Sequence, residues 1–133
     1  HITGIDPAGA ALRYLIEALG GPVDLVHAHG TGTESNDPVE LSAIDDLLGA
    51  SRPIIYSHKA ALGHTQGASG MIGVVLDVLM HRHGVVPPNP NTADPIESRQ
   101  AVLLPKLIER RIQRSLTLAA GFGGPIAGVA LAS

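Results

Sequence analysis

A chain of 133 residues is long enough for one core and too short for two ordinary domains, so residues 1–133 are expected to form a single unit; at 44% hydrophobic and 16% charged, it reads as globular. A net charge of −3 gives no basic footprint for nucleic acid or an anionic membrane, and zero cysteines exclude a disulfide, a thiolate metal site and a cysteine nucleophile from this chain. The apolar run around Met71 is interrupted by Asp77 and too short to span a bilayer, and no basic-plus-apolar signal pattern opens the chain, so a cytoplasmic protein is expected.

His1-Ile2-Thr3-Gly4 lacks an initiator methionine and reads as the start of a fragment or a processed product. Asp6-Pro7 predicts a helix start, with Ala8, Ala11, Leu12, Leu15, Ile16 and Leu19 on its apolar face and Gly20-Gly21-Pro22 as its stop. Val23 to His29 predicts a short apolar strand that ends in the loop His29-Gly30-Thr31-Gly32-Thr33. Asp37-Pro38-Val39-Glu40 reads as a capping box, and Leu41, Ile44, Leu47 and Leu48 as the buried face of the helix it opens. Pro53 to Ser57 is the next predicted strand, leading to Lys59 and the loop to His64; a glycine-rich helix then runs to His83-Gly84. Val85 to Pro95, with four prolines, predicts an extended crossing, and Ala101 to Leu104 a weak strand. Arg114–Ala119 and Ile126–Leu131 predict an antiparallel hairpin around Gly121-Phe122-Gly123-Gly124. Helix and strand alternate and further strands follow, which is an α/β fold: a layered mixed sheet, parallel with crossover helices and an antiparallel edge.

Loops at strand C-termini collect sites in such folds. The segment from Lys59 to Gly70 is expected to hold His64 at a buried helix mouth, where the dipole and burial both favour a neutral ring that can donate one N–H to a carbonyl or oxyanion; a core histidine bonded to a backbone carbonyl fits the same segment. Gly67, Gly70 and Gly73 each cost a helix about 1 kcal/mol, which close packing of a neighbouring backbone would explain. His27-x-His29 and His81-x-His83 have strand-like metal spacing without acidic or cysteine companions, so no metal is expected. His27 and His58 are expected to pack beside the site. His81, Arg82 and His83 read as solvent-facing charges in a helix's last turn, and Asp77 as paired or at an edge.

The three glycine loops in this order resemble the C-terminal half of a β-ketoacyl-acyl carrier protein synthase of the thiolase superfamily, over nearly the whole chain. The resemblance implies a Cys-His-His site for decarboxylative Claisen condensation of an acyl thioester with malonyl-carrier protein, in fatty-acid or polyketide synthesis. His29, in His-Gly-Thr-Gly-Thr, and His64, in Gly-His, would be the site histidines, and Lys59 would order the polar network near the second of them, His64. Thr31 and Thr33 would face the phosphopantetheine arm; Phe122 would be the gating residue of its glycine loop, with Gly123 beside it at the substrate. No cofactor is implied, because the substrates ride on the phosphopantetheine of an acyl carrier protein. The implied partners are that carrier protein and an N-terminal half bearing the cysteine, in a homo- or heterodimer. Ala120 replaces the family's usual aromatic residue, Pro125-Ile126 its usual Thr-Asn, and Gly73 stands where many fatty-acid-type members have glutamate. A non-catalytic chain-length-factor-like subunit is the alternative. Lys59 solvated at a strand end remains open beside the network role.

Overall fold

The computed structural model describes residues 9–121 and 124–133. The predicted start at Asp6-Pro7, Phe122 and Gly123 all lie outside these residues. Helix α1 (Ala10–Leu19) ends where Gly20, at φ 60°, returns its N–H to the Ile16 carbonyl. Strand β1 (Leu25–His27) is shorter than its apolar run. It leads through the first glycine loop into α2 (Asp37–Leu48), a 3-10 turn (Gly49–Ser51) and β2 (Ile54–Tyr56). A four-residue helix α3 (Lys59–Leu62) and a second 3-10 turn (Gln66–Ala68) precede α4 (Ser69–His83), closed by Gly84 at φ 64°. The predicted loop from Lys59 to His64 is thus largely helical. β3 (Val85–Val86), β4 (Val102–Leu103), β5 (Ile108–Glu109), β6 (Arg114–Ala120) and β7 (Ile126–Ala132) complete the order.

β4, β2, β1, β6 and β7 form one sheet in that order, parallel except for the β6–β7 hairpin. The expected mixed sheet with an antiparallel edge is what forms. The crossing after α4 is not wholly without an element: Val85 and Val86 pair antiparallel with Glu109 and Ile108.

Register decides what each face carries. Leu25 lies beside Ile54 and Ser115, and His27 beside Tyr56 and Thr117. Successive residues point to opposite faces, so Val26, Ala28, Ile55, Leu116 and Leu118 form one surface, packed with Leu12 and Ile16 of α1 and Ala43, Ile44 and Leu48 of α2. Each of these large side chains contributes about 1.5–3 kcal/mol on burial. Ala11, expected on the buried face of α1, is exposed, and Leu41 and Leu47 of α2 are only half-buried. Gly128 lets α1 close on the sheet, since a Cβ there would meet Leu19 Cδ1 at 2.9 Å.

The opposite face receives α4 and is partly polar. Leu25, Ile54 and Tyr56 form an apolar end with Met80, Val86 and Ile112, while His27, Ser115 and Thr117 meet Asp77 and His81. α4 therefore packs against the sheet by its small and polar residues. Ser69, Gly73 and Asp77 are buried, whereas Met71 is 69% and Val75 51% exposed, with Val78 and Leu79 exposed beside them. Gly73 explains itself, because a Cβ would sit 2.8 Å from Thr117 Cγ2; Gly70 faces the Ala119 Cβ at 3.3 Å. The close neighbours are side chains, not the backbone expected from the glycine spacing. Gly67 precedes α4 and has open space around it.

Candidate active site

The loop after β1 turns sharply, with Gly30 at φ 39° and Gly32 at φ 74°. A Cβ on Gly30 would lie 2.8 Å from Ser57 Cβ, so only glycine lets this loop meet the end of β2. Such a turn leaves backbone N–H groups without sheet partners. α2 supplies them: Glu40 accepts from the N–H groups of His29 at 2.7 Å and Gly30 at 2.8 Å, and Asp37 from those of Thr31 at 3.1 Å and Gly32 at 2.9 Å. The predicted capping box is not formed. Neither acid caps its own helix; both carboxylates lie at the positive end of α2 and reach outward to the loop. Burial raises the Glu40 pKa, against the lowering effect of the Gly30 and His29 N–H groups.

This clamp fixes His29 at the C-terminal end of β1. Its ring is buried, and burial, followed by the nearby Lys59 and His64, lowers its pKa to about 4. Lys59, half-buried at the start of α3, donates its Nζ–H to the His29 carbonyl; burial lowers its pKa while Glu40 and Asp37 oppose that shift. It is not merely solvated. Ser57 donates its hydroxyl to the Gly30 carbonyl at 3.0 Å, and Asn89 of the proline-rich crossing accepts from the Ser57 N–H at 2.9 Å.

His64 approaches from the other side. The ring centroids of His29 and His64 are 5.5 Å apart, at 80° to each other. His64 is exposed, contrary to the expected buried helix mouth: it lies in the link after α3, and the 3-10 turn separates it from the start of α4. Its Nδ1 accepts from the Gln66 N–H at 2.9 Å, which leaves Nε2 as the nitrogen free to donate. Thr31 and Thr33 hold their hydroxyl oxygens 2.8 Å apart on the glycine loop. Thr31 also lines, with Lys59, Asn89 and Asp94, a cavity of about 710 Å³.

The residues missed by sequence reading are those that hold these in place. Asp37 and Glu40 were legible as an acidic pair directly after a glycine loop, but a helix cap satisfies the same pattern. Asp77 is paired, with His27 and Thr117, and is fully buried. His27 and His58 do pack beneath the site. His81 is a correction: it is half-buried and bonds the Ser115 hydroxyl at 3.0 Å, while Arg82 and His83 face solvent. Among the described residues no group of three potential ligands could hold a metal ion.

A parallel-centred sheet that presents two loop histidines at its C-terminal end, backed by a glycine-dotted helix, defines the thiolase-like condensing-enzyme class. Within it the chain belongs to the β-ketoacyl synthase family: residues 7–93 match the model of the β-ketoacyl synthase C-terminal domain. It is 42% identical over 98 residues to 3-oxoacyl-[acyl-carrier-protein] synthase 2 of Mycobacterium tuberculosis, covering 68% of this chain and 24% of that protein. To the actinorhodin polyketide putative β-ketoacyl synthase 1 of Streptomyces coelicolor it is 36% identical over 135 residues, covering 93% and 29%. Among solved structures, a type II polyketide ketosynthase bound to its acyl carrier protein superposes with a TM-score of 0.84 at 30% identity, over 98% of this chain and 34% of that one. The chain thus spans about a quarter to a third of these relatives' length.

Proposed function

We propose that the chain supplies the decarboxylation side of a β-ketoacyl synthase acting in fatty-acid or polyketide synthesis. The observation that carries this reading is the convergence of His29 and His64, with ring centroids 5.5 Å apart, at the C-terminal end of the sheet. In this reaction the malonyl thioester loses CO2, negative charge gathers on the thioester oxygen, and the resulting carbanion attacks the carbonyl of an acyl group held on a cysteine, breaking its C–S bond and releasing the cysteine thiolate. Two imidazole N–H donors aimed at that oxygen stabilise it as the charge develops, each by about 3 kcal/mol in comparable oxyanion sites. His29, held neutral by burial to about pH 4, suits a donor better than a proton acceptor. Lys59 orders the His29 backbone, Thr31 and Thr33 contact the phosphopantetheine arm, and Phe122 and Gly123 gate the acyl thioester; no cofactor takes part.

The cysteine comes from an N-terminal half. The exposed Met71, Val75, Val78 and Leu79, whose spacing puts them on one side of α4, and the exposed Leu62 of α3 support such a partner. Acyl carrier protein delivers both substrates, in a cytoplasmic homo- or heterodimer. The solved relative in complex with its carrier protein supports that partnership. A chain-length-factor-like subunit is the second reading, favoured by Pro125-Ile126 after the glycine loop and by structural similarity to an ishigamide ketosynthase/chain length factor, at TM-score 0.73.

The test joins the chain to the cysteine-bearing half and follows single turnovers. His29→Ala and His64→Ala are expected to slow malonyl decarboxylation about 10²–10³-fold while sparing acyl loading of the cysteine. His64→Gln, which keeps an N–H donor, should retain more decarboxylation than His64→Ala. Loss of loading with decarboxylation intact would assign the histidines to cysteine activation instead. Without the partner half the chain should form no condensation product.

A further inference from the structure

Beneath this site lies a buried polar chain that the proposed chemistry does not use. Thr117 Oγ1 donates to Asp77 Oδ2 at 2.7 Å, Asp77 Oδ1 lies 2.8 Å from His27 Nδ1, and His27 Nε2 lies 2.8 Å from His58 Nδ1. All four side chains are buried, none more than 4% exposed. They link β6, α4, β1 and the residue that leads into α3.

The geometry orders the protons. An ionised Asp77 can only accept, so His27 presents Nδ1–H to it; in the arrangement in which His27 Nε2 accepts, His58 donates from Nδ1. That leaves His58 Nε2 as a bare acceptor. It is without a partner among the described residues, as is His29 Nδ1. An orphaned acceptor is more readily tolerated than an orphaned donor. Burial lowers the His58 pKa to about 4, with the nearby His27, Lys59 and His64 acting in the same direction, consistent with the neutral ring. Room for the chain exists because Gly73 has no side chain: a Cβ there would lie 2.8 Å from Thr117 Cγ2 and 3.6 Å from the His27 ring.

Burying a carboxylate and two imidazoles is a costly way to join a helix to a sheet, and well-packed apolar residues would serve stability as well. Their placement points to another role. His58 immediately precedes Lys59, whose ammonium holds the His29 carbonyl, and His27, the last residue of β1, stands two residues before His29. We propose that Asp77, His27 and His58 form a positioning relay that fixes the β1 and β2 ends against each other and so holds His29 and Lys59 in register with His64. The relay rests on the decarboxylating reading above, and its three members act through His29 and Lys59 without touching the reacting atoms.

The experiment uses the chain assembled with its cysteine-bearing half. His58→Leu removes the Nδ1 donor at similar volume; kcat for malonyl-thioester decarboxylation should fall at least tenfold, with KM and acyl loading of the cysteine within about twofold of the unsubstituted enzyme. His58→Asn, whose amide can take the place of Nδ1, should restore most of that loss. Ring-nitrogen NMR should find the His27 and His58 protons on Nδ1. An unchanged kcat in His58→Leu overturns the relay. So does an equal fall of loading and decarboxylation in both variants, which is what a purely structural role would give, and so does a His58 proton on Nε2. Absence of decarboxylation in the unsubstituted enzyme would overturn the functional reading itself, and the relay's role with it.

Discussion

His29 and Glu40 show how single residues carry the site. The His29 pKa is lowered to about 4, first by burial and then by Lys59 and His64, while an unfolded histidine titrates near 6.5. Between those values the unfolded chain binds more protons. The stability contribution is therefore intact above about pH 6.5 and lost as pH falls towards 4, by at most about 3 kcal/mol for this ring. Thermal melts from pH 7 to 4.5 should show a falling Tm, and His29→Asn should flatten that fall; a Tm that rises on acidification would contradict the buried neutral ring. Glu40 accepts two loop N–H groups in a buried setting, so Glu40→Ala strands both donors. A loss of about 2–4 kcal/mol is expected by chemical denaturation, with faster amide exchange at His29 and Gly30. Glu40→Gln, which retains an acceptor oxygen, should lose less.

Among the elements, α4 departs furthest from an ordinary surface helix. It turns Ser69, Gly73 and Asp77 inward and Met71, Val75, Val78 and Leu79 outward. The glycines within it and just before it should consequently differ in tolerance. Gly73→Val drives a side chain into Thr117, which a Cβ alone would approach to 2.8 Å, and should cost about 1–3 kcal/mol. Gly67→Ala meets nothing within 4 Å and should fall within about 0.5 kcal/mol of the parent. Equal destabilisation of the two would mean that helix propensity, not packing, governs this segment. Periodicity located α4 and its end at Gly84, but it could not say which face was inside. Apolar residues surround the inward-facing ones on both sides, and only the polar surface of β1 and β6 selects the side bearing Asp77. The β3–β5 pair escaped detection for a related reason: two-residue strands carry no pattern of their own.

For the molecule as a whole, the proposed partner surface on α3 and α4 lies outside the chain's own core, so folding and association should be separable. Met71→Glu and Val75→Glu alter side chains that are 69% and 51% exposed, so the fold of this chain should tolerate both within about 0.5 kcal/mol. Both should weaken association with a cysteine-bearing half, read as loss of co-purification or of a defined complex in sedimentation. Retained association would locate the partner surface elsewhere.

The order of the longer elements, the antiparallel edge, the two histidine loops and the family were legible in the sequence. They rest on local signals: glycine and proline punctuation, strand-length apolar runs, and short motifs whose backbone demands only particular residues can meet. What the fold alone decided is which groups meet across distance. The Asp37–Glu40 pair could have capped its own helix, and nothing local directs it to the loop N–H groups instead. His27, His58, Asp77 and Thr117 are separated by up to 90 positions along the chain, and each read singly is an ordinary buried or edge residue. The exposure of His64 likewise depends on what stands opposite it. Register between parallel strands brought these groups together, because a shift of one residue would turn His27 and Thr117 to the apolar face, and no short stretch of sequence contains both sides of that choice.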